Sequence, residues 1–392
     1  MRAARRAACV RFVRTHVVLV VSAVAALLTM IAVPPDAAYM GYFDLKTLAC
    51  LFGILAWWAP CARVFEATAR AMVARFSTCR AAVSALVAVT LVLSMVATND
   101  MALIMMLPLS AATLLKAGWE RALPFVFIMQ SLAANLGGMI VPFGNPQNLY
   151  LFERFSVPLG DFLATMALPF AVSVLLIGVC CALFAQPTPR MASEELPASE
   201  RTVRIPRART TAYVLLLALV IASVFRLVPY PVALGTVVVG LLLLDRRALR
   251  SVDVGLLLTF ACFFVFAGNM ARIPAVEDTL SQVMAHHALL ASAGASQVIS
   301  NVPAAVLLSH FTDSYPALLV GVNIGGAGTL VASLASSSRS ISTGPCAPRS
   351  DAAPASRSKL RAGSLRASPR STASFSWCCT RFAARRDSTP SL

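Results

Sequence analysis

The sequence predicts an all-α polytopic membrane protein built from two inverted-topology repeats, each with a re-entrant helical hairpin and a discontinuous helix. Three observations carry that expectation. The chain is 58% hydrophobic and 13% charged, against about 25% charged in soluble domains, so most of its length belongs in lipid. Asp100 is the one ionised group in an apolar run from Ala81 to Leu115, and a carboxylate at membrane depth costs roughly 2.5–3.5 kcal/mol on insertion scales, which marks a functional position. Two motifs also recur in order. Ser94-Met95-Val96-Ala97-Thr98-Asn99 returns 202 residues on as Ser296-Gln297-Val298-Ile299-Ser300-Asn301, and Asn135-Leu136-Gly137-Gly138 returns 188 residues on as Asn323-Ile324-Gly325-Gly326. Unwound, Gly-rich breaks at matching places in two halves point to a membrane-buried binding site.

Taken in order, the Arg-rich residues 1–16 form a basic cytoplasmic N-terminus. The apolar run behind them is too long for a cleavable signal and reads as a retained first span, Val17–Val33. Leu45–Pro60 is the second span, with Trp57 and Trp58 placed for a membrane interface. Arg63–Arg80 reads as a basic amphipathic helix on the cytoplasmic surface. The run from Ala81 to Leu115 is about twice the ~20 residues of one span and contains Pro108, so it folds into two short helices with Thr98-Asn99-Asp100 at the tip. Ala122–Leu151 is a span broken by Gly137-Gly138 and by Pro142-Phe143-Gly144-Asn145-Pro146-Gln147-Asn148, and Phe162–Ala185 closes the first repeat, residues 17–185.

The polar stretch 186–210 is a cytoplasmic linker, and the second repeat occupies residues 211–335. It comprises spans at Thr211–Phe225, Val232–Leu244 and Val254–Met270, a surface helix at Pro274–His287, a second hairpin at Ala288–Phe311 with Ser300-Asn301 at its tip, and a second broken span at Tyr315–Ala335. With the N-terminus inside and a crossing at every span, the basic segments 63–80, 186–209 and 245–250 fall in the cytoplasm. The near-neutral or acidic segments 34–44, 153–161 and 272–287 fall outside, as the positive-inside rule requires. The first hairpin then enters from the cytoplasm and the second from outside, and the extra span at 211–225 inverts the second half.

The net charge of +16 is a matter of loops and tail, and nucleic acid is not an expected partner. The ten cysteines show no ligand spacing, and His286-His287 reads as a solvated surface turn. No nucleophile–base pair or ligand cluster suggests an enzyme, and no cofactor is expected beyond a coupling ion. Irregular backbone at bilayer depth survives only where protein buries it or water reaches it. A hairpin tip beside a broken helix therefore gathers carbonyls with Thr98, Asn99, Ser300 and Asn301, neutral oxygens suited to Na⁺. Half-helix N-termini offer partial positive charge to an anion, and Gly137, Gly138, Gly325 and Gly326 allow close backbone approach. Asn and Ser also cap the half-helices, but capping leaves Asp100 and the duplication unexplained.

At these residues the chain resembles the ion-transporter superfamily of citrate and other divalent-anion symporters, arsenite permeases and D-type sodium/proton antiporters. The carrying segments are Thr98-Asn99-Asp100-Met101-Ala102-Leu103, Asn135-Leu136-Gly137-Gly138, Gly144-Asn145-Pro146-Gln147-Asn148 and Ser300-Asn301-Val302-Pro303-Ala304, over roughly residues 15–335. The resemblance implies a cation site beside each hairpin tip, with Na⁺ near Asn99, Asp100 and Asn301, a substrate between the tips, and elevator-like transport. Carried over by position, the site comprises Thr98, Asn99, Asp100, Asn135, Gly137, Gly138, Asn145, Asn148, Ser300, Asn301, Asn323, Gly325, Gly326 and Thr329. Symporters of the group commonly carry Ser-Asn-Thr at both tips. Here Asp100 adds a charge and Val302 removes a hydroxyl, which bears on the substrate.

The expectation is a secondary transporter of a small di- or tricarboxylate-like anion, coupled to Na⁺ or H⁺, multi-pass in a cell inner membrane, with the bilayer and a second copy of the chain as partners. Arsenite efflux or sodium/proton antiport is the alternative, and Asn145-Pro146 with Asn301-Val302-Pro303 only faintly suggests a water channel. From Ser336 to Leu392 the sequence turns Arg-, Ser-, Ala- and Pro-rich, with ten Lys/Arg against two Asp/Glu. Such a segment reads as a disordered basic tail, either a frameshift that removes the closing span and leaves a transport-inactive product, or an anchor on anionic lipid.

Overall fold

The computed structural model describes residues 16–58, 78–185 and 207–327 apart from Ser251, together with Val13 and Phe76. Apart from those residues, the expected N-terminal arm, positions 63–77 of the expected surface helix (63–80), positions 186–206 of the expected linker (186–210), Thr329, the end of the second broken span and the tail lie outside the described residues; positions 207–210 open a helix instead.

Every regular element among them is helical. Helix α1 (Val17–Ala32) turns Ser22, Ala26 and Thr29 inward and leaves its apolar remainder exposed, as a lipid-facing helix does. A 3₁₀ turn capped by Asp36 leads to α2 (Leu45–Trp58), whose start is held by both oxygens of Asp44 on Thr47. Trp57 and Trp58 are buried in the protein core, so the interface position expected for them is corrected. Their large apolar area is used for packing between helices.

The first hairpin is α3 (Cys79–Val96) and α4 (Asn99–Lys116), joined at Ala97-Thr98. Then come α5 (Leu123–Gly137), a 3₁₀ turn at Gly138–Ile140, and α6 (Pro146–Arg154), the two halves of the broken span. Proline at the first position of α6 suits a helix start, where its missing N–H is not needed. The 26-residue α7 (Leu159–Phe184) follows. In the second half stand α8 (Arg207–Val224), α9 (Tyr230–Leu244), the short α10 (Arg246–Arg250) and α11 (Val254–Met270). A 98° bend leads into α12 (Pro274–Ile299), which kinks at His287, where the surface helix ends and the second hairpin begins. His286 and His287 are exposed there. The hairpin returns through α13 (Asn301–Leu308) to α14 (Tyr315–Ala327).

Among the described residues, Cys79–Val96, Glu120–Ile140 and Leu159–Phe184 are each long and apolar enough to cross a membrane, and the bent pair α11–α12 passes the same test. The chain is an all-α polytopic membrane protein. Its strongest packing runs α3 against α5, α12 against α14 and α1 against α11.

Contacts between helix ends sort the loops into two groups. Asp36 pairs with Arg272 at 2.7 Å, Lys46 with Glu153 at 2.5 Å, Arg226 with Glu153 at 3.5 Å, and Tyr150 with Ser309 at 2.8 Å. The hydrogen bond from Arg272 holds the Asp36 carboxyl below its ordinary range. At the other ends, Arg80 donates to the Ala185 carbonyl at 2.9 Å, and His16 lies beside Gly255. The first group joins segments that the charge pattern places outside. The second joins segments it places inside.

Candidate functional site

The two halves meet their hairpins in the same way. A β-carbon on Gly137 of α5 would stand 2.5 Å from Ser94 Oγ and 2.6 Å from the Leu91 carbonyl; one on Gly325 of α14 would stand 2.4 Å from the Ala293 carbonyl and 2.9 Å from Ser296 Cβ. Leu91 and Ala293, like Ser94 and Ser296, are 202 residues apart, and the glycines 188. The contact therefore recurs at the offsets of the sequence repeat. These are distances no real side chain tolerates, and only glycine lets the hairpin arm close on the helix.

The tips are capped alike as well. Asn99 Oδ1 accepts from Asp100 N at 2.9 Å, and Asn301 Oδ1 accepts from Val302 N at 3.1 Å. Asn301 also lies against Gly326. Asp100 sits half-buried in the first turn of α4, where the helix N-terminus favours a carboxylate. Ser300 differs from its counterpart Thr98: its φ of 78° and ψ of 159° fall in a region that is essentially glycine's, at a cost of about 1–3 kcal/mol. Ser300→Gly is expected to raise the Tm of the detergent-purified protein, even after losing the bond from Ser300 Oγ to Asn301 Oδ1. An unchanged or lower Tm would show that no strain is stored at this tip.

From the first tip a chain of amides crosses between the halves. Asn99 Nδ2 donates to Asn135 Oδ1 at 2.9 Å, and Asn145 Nδ2 donates to the Asn135 carbonyl at 3.0 Å. Asn145 Nδ2 and Gln147 Nε2 reach Asn323 Oδ1 of α14 at 3.3 and 3.2 Å. Asn323 Nδ2 donates to Asn148 Oδ1 at 2.6 Å and to the Leu319 carbonyl at 2.8 Å. Asn148 Nδ2 in turn donates to the Met139 and Val141 carbonyls at the break in the helix. Asn145, Gln147, Asn148 and Asn323 are all buried. Asn145 Oδ1 and Gln147 Oε1 remain buried without a donor among the described residues, and Asn145 Oδ1 lies where Gly138 would carry a β-carbon.

The structure thus brings together Asn99, Asn135, Asn145, Asn148 and Asn323, with Gly138 beside Asn145, and sets Gly326 against Asn301 at the second tip. Thr98, Asp100 and Ser300 stand at the two tips. Three helices, α4, α6 and α13, begin at or next to these residues. Sequence reasoning missed Gln147, Ser94 and Ser296 as contributors, although all three stand inside the repeated or quoted motifs. It also missed the Thr90–Gln130 bond of 2.9 Å that ties α3 to α5; Thr90 lies 202 residues before Ser292, which touches α14 through the Ala317 carbonyl.

The family model described as "Citrate transporter" matches residues 9–322. The chain belongs to the citrate transporter family. Among curated relatives, "Inner membrane protein YbiR" of Escherichia coli (strain K12) is 33% identical over 275 residues, covering 69% of this chain and 72% of the relative. "Uncharacterized transporter MJ0456" of Methanocaldococcus jannaschii is 32% identical over 259 residues, covering 64% and 68%. The citrate transporter match takes in both hairpins and ends just before Asn323.

Proposed function

We propose that the protein moves a small di- or tricarboxylate across the membrane, coupled to Na⁺ or H⁺, by an elevator-like movement of the hairpin-bearing part. The observation that carries this reading is the convergence of two helix N-termini, those of α4 and α6, on one buried amide network between the halves. Helix N-termini present unpaired N–H groups and partial positive charge, which suit a carboxylate. Asn145 Oδ1 and Gln147 Oε1 supply buried neutral oxygens without a donor among the described residues, and such groups call for a partner. Hard cations take oxygen ligands, so these two join the tip residues Asn99, Asp100 and Asn301 as the coupling-ion site of the proposal. The charge pattern of the loops supports a cytoplasmic N-terminus and opposite topologies for the two repeats in this reading.

The test is uptake of radiolabelled citrate by reconstituted vesicles under imposed Na⁺ or pH gradients. Uptake is expected to follow one gradient, and Asp100→Asn to abolish or re-set that dependence in protein shown to be folded. Unchanged cation dependence would leave Asp100 a structural role only. Sodium/proton exchange without anion movement would overturn the carboxylate reading in favour of antiport.

A further inference from the structure

A cavity of about 610 Å³ lies where loops of the first end group meet, lined by the start of α2, the end of α6, the α8–α9 turn and the end of the second hairpin. That volume is in the range of small-molecule sites. Three cations line it, Lys46, Arg154 and Arg226, against the carboxylates of Asp44 and Glu153. Asp44 is committed to capping α2 through Thr47. Glu153 is 3% exposed and takes both Lys46 and Arg226 on its Oε2, at 2.5 and 3.5 Å, while its Oε1 is buried without a donor among the described residues. Two cations thus share one oxygen, and neither holds Glu153 in the two-pronged geometry that makes such pairs strong.

The two cations are not equivalent. Arg226 is fixed by the Phe152 and Ser156 carbonyls, at 2.9 and 3.1 Å, and lies 5.2 Å over the Phe152 ring. Lys46 is a compact charge on a flexible stem, which can exchange one oxygen for another. Arg154 is exposed at the same cavity. Surplus positive charge in a partly closed, low-dielectric space concentrates anions. The cavity and the amide network are joined by a single rigid element: α6 runs from Gln147 and Asn148 to Glu153 and Arg154, about 8 Å along a helix axis at 1.5 Å per residue.

We propose that this cavity is a second, outer anion site. In it Lys46 and Arg154 meet the carboxylates of an arriving small polycarboxylate, and Glu153 is the resident counter-ion that the ligand displaces from Lys46. The ligand class rests on the anion-transport reading above, whereas the site rests on the cavity itself.

The probe is a cysteine at Gly41, which lines the cavity and has open space around its β-carbon position. In a cysteine-free background, purified in detergent, its reaction rates with an anionic (sulfonate) and a cationic (ammonium) thiol reagent are each normalised to a free thiol. The anionic reagent is expected to be favoured by about tenfold at low salt, and citrate is expected to slow it several-fold. Arg154→Gln, at an exposed side chain, should weaken both effects, and Lys46→Gln should remove citrate protection. Equal normalised rates, or protection untouched by both substitutions, overturn the proposal. So does protection that disappears in Asn99→Ala/Asn301→Ala protein, because it would then originate at the inner site. Protection that persists there keeps the outer site, and if the unsubstituted protein shows citrate protection at Gly41→Cys but no citrate uptake, the outer site stands and the transport reading falls instead.

Discussion

Asn323→Leu is expected to abolish transport and to lower stability sharply, although leucine is close in size and fits a buried helix face. Asn323 accepts from Asn145 and Gln147 and donates to Asn148. Leucine leaves Gln147 Nε2 and Asn148 Oδ1 without these buried partners and takes from Asn145 Nδ2 one of its two acceptors. Each such loss costs about 1–3 kcal/mol, so the total is roughly 3 kcal/mol or more, and the break in the first repeat loses its anchor on α14. Citrate uptake by vesicles loaded with equal amounts of monodisperse protein should fall to the background of empty vesicles. Asn135→Leu should have a smaller effect, since it severs the Asn99 side-chain bond while its backbone carbonyl still serves Asn145. Wild-type uptake in Asn323→Leu would show that the network is packing alone.

Gly325→Ala is expected to be the most damaging single-methyl change in the second half. The new carbon would stand 2.4 Å from a backbone carbonyl of α12, and backbone cannot rotate aside as a side-chain end can. Overpacking of this kind costs about 1–3 kcal/mol or more, and here it acts by prising α12 from α14, the most extensive helix pairing among the described residues. Gly137→Ala should behave alike in the first half, since the repeat carries the same contact. Gly178→Ala in α7 is the control: nothing lies within 4 Å of its added carbon, and alanine there should stabilise the helix by about 0.5–1 kcal/mol. The Tm order expected is Gly178→Ala above wild type, with both hairpin glycine variants well below. If Gly325→Ala melts with wild type, the close approach of α12 and α14 is wrong.

Much of the site was legible because its signals are local. A lone carboxylate in an apolar run, a proline after an asparagine and a pair of glycines each alter a few residues of backbone, and a recurring string exposes the duplication without any fold. That is how Asn99, Asn145, Asn148 and the four glycines were found. Gln147 was passed over because a glutamine beside a cap looks like any polar loop residue until its partner, 176 residues away, is in place. Glu153 was passed over for the same reason: in the sequence it reads as the start of a short polar loop, and only Lys46, 107 residues earlier, turns it into a partly buried ion pair at the end of α6. Trp57 and Trp58 were misplaced because an aromatic pair at the end of an apolar run reads the same whether lipid headgroups or other helices surround it.

By itself, the sequence determined the solvent of this protein, the order of its spans and the place where the first repeat's span breaks, since hydropathy and chain-breaking residues act over one or two helical turns. It also determined the two positions, 188 residues apart, at which a helix carries the glycine that its hairpin closes on. Only the tertiary structure decided which faces meet. It set Asn323 among the amides of the other half, put Leu91 and Ala293 over their glycines, turned the tryptophans inward and closed Lys46 and Arg226 on Glu153. Those choices belong to pairs of helices far apart in the chain, and a buried hydrogen bond is settled by the partner that arrives, which no single segment specifies.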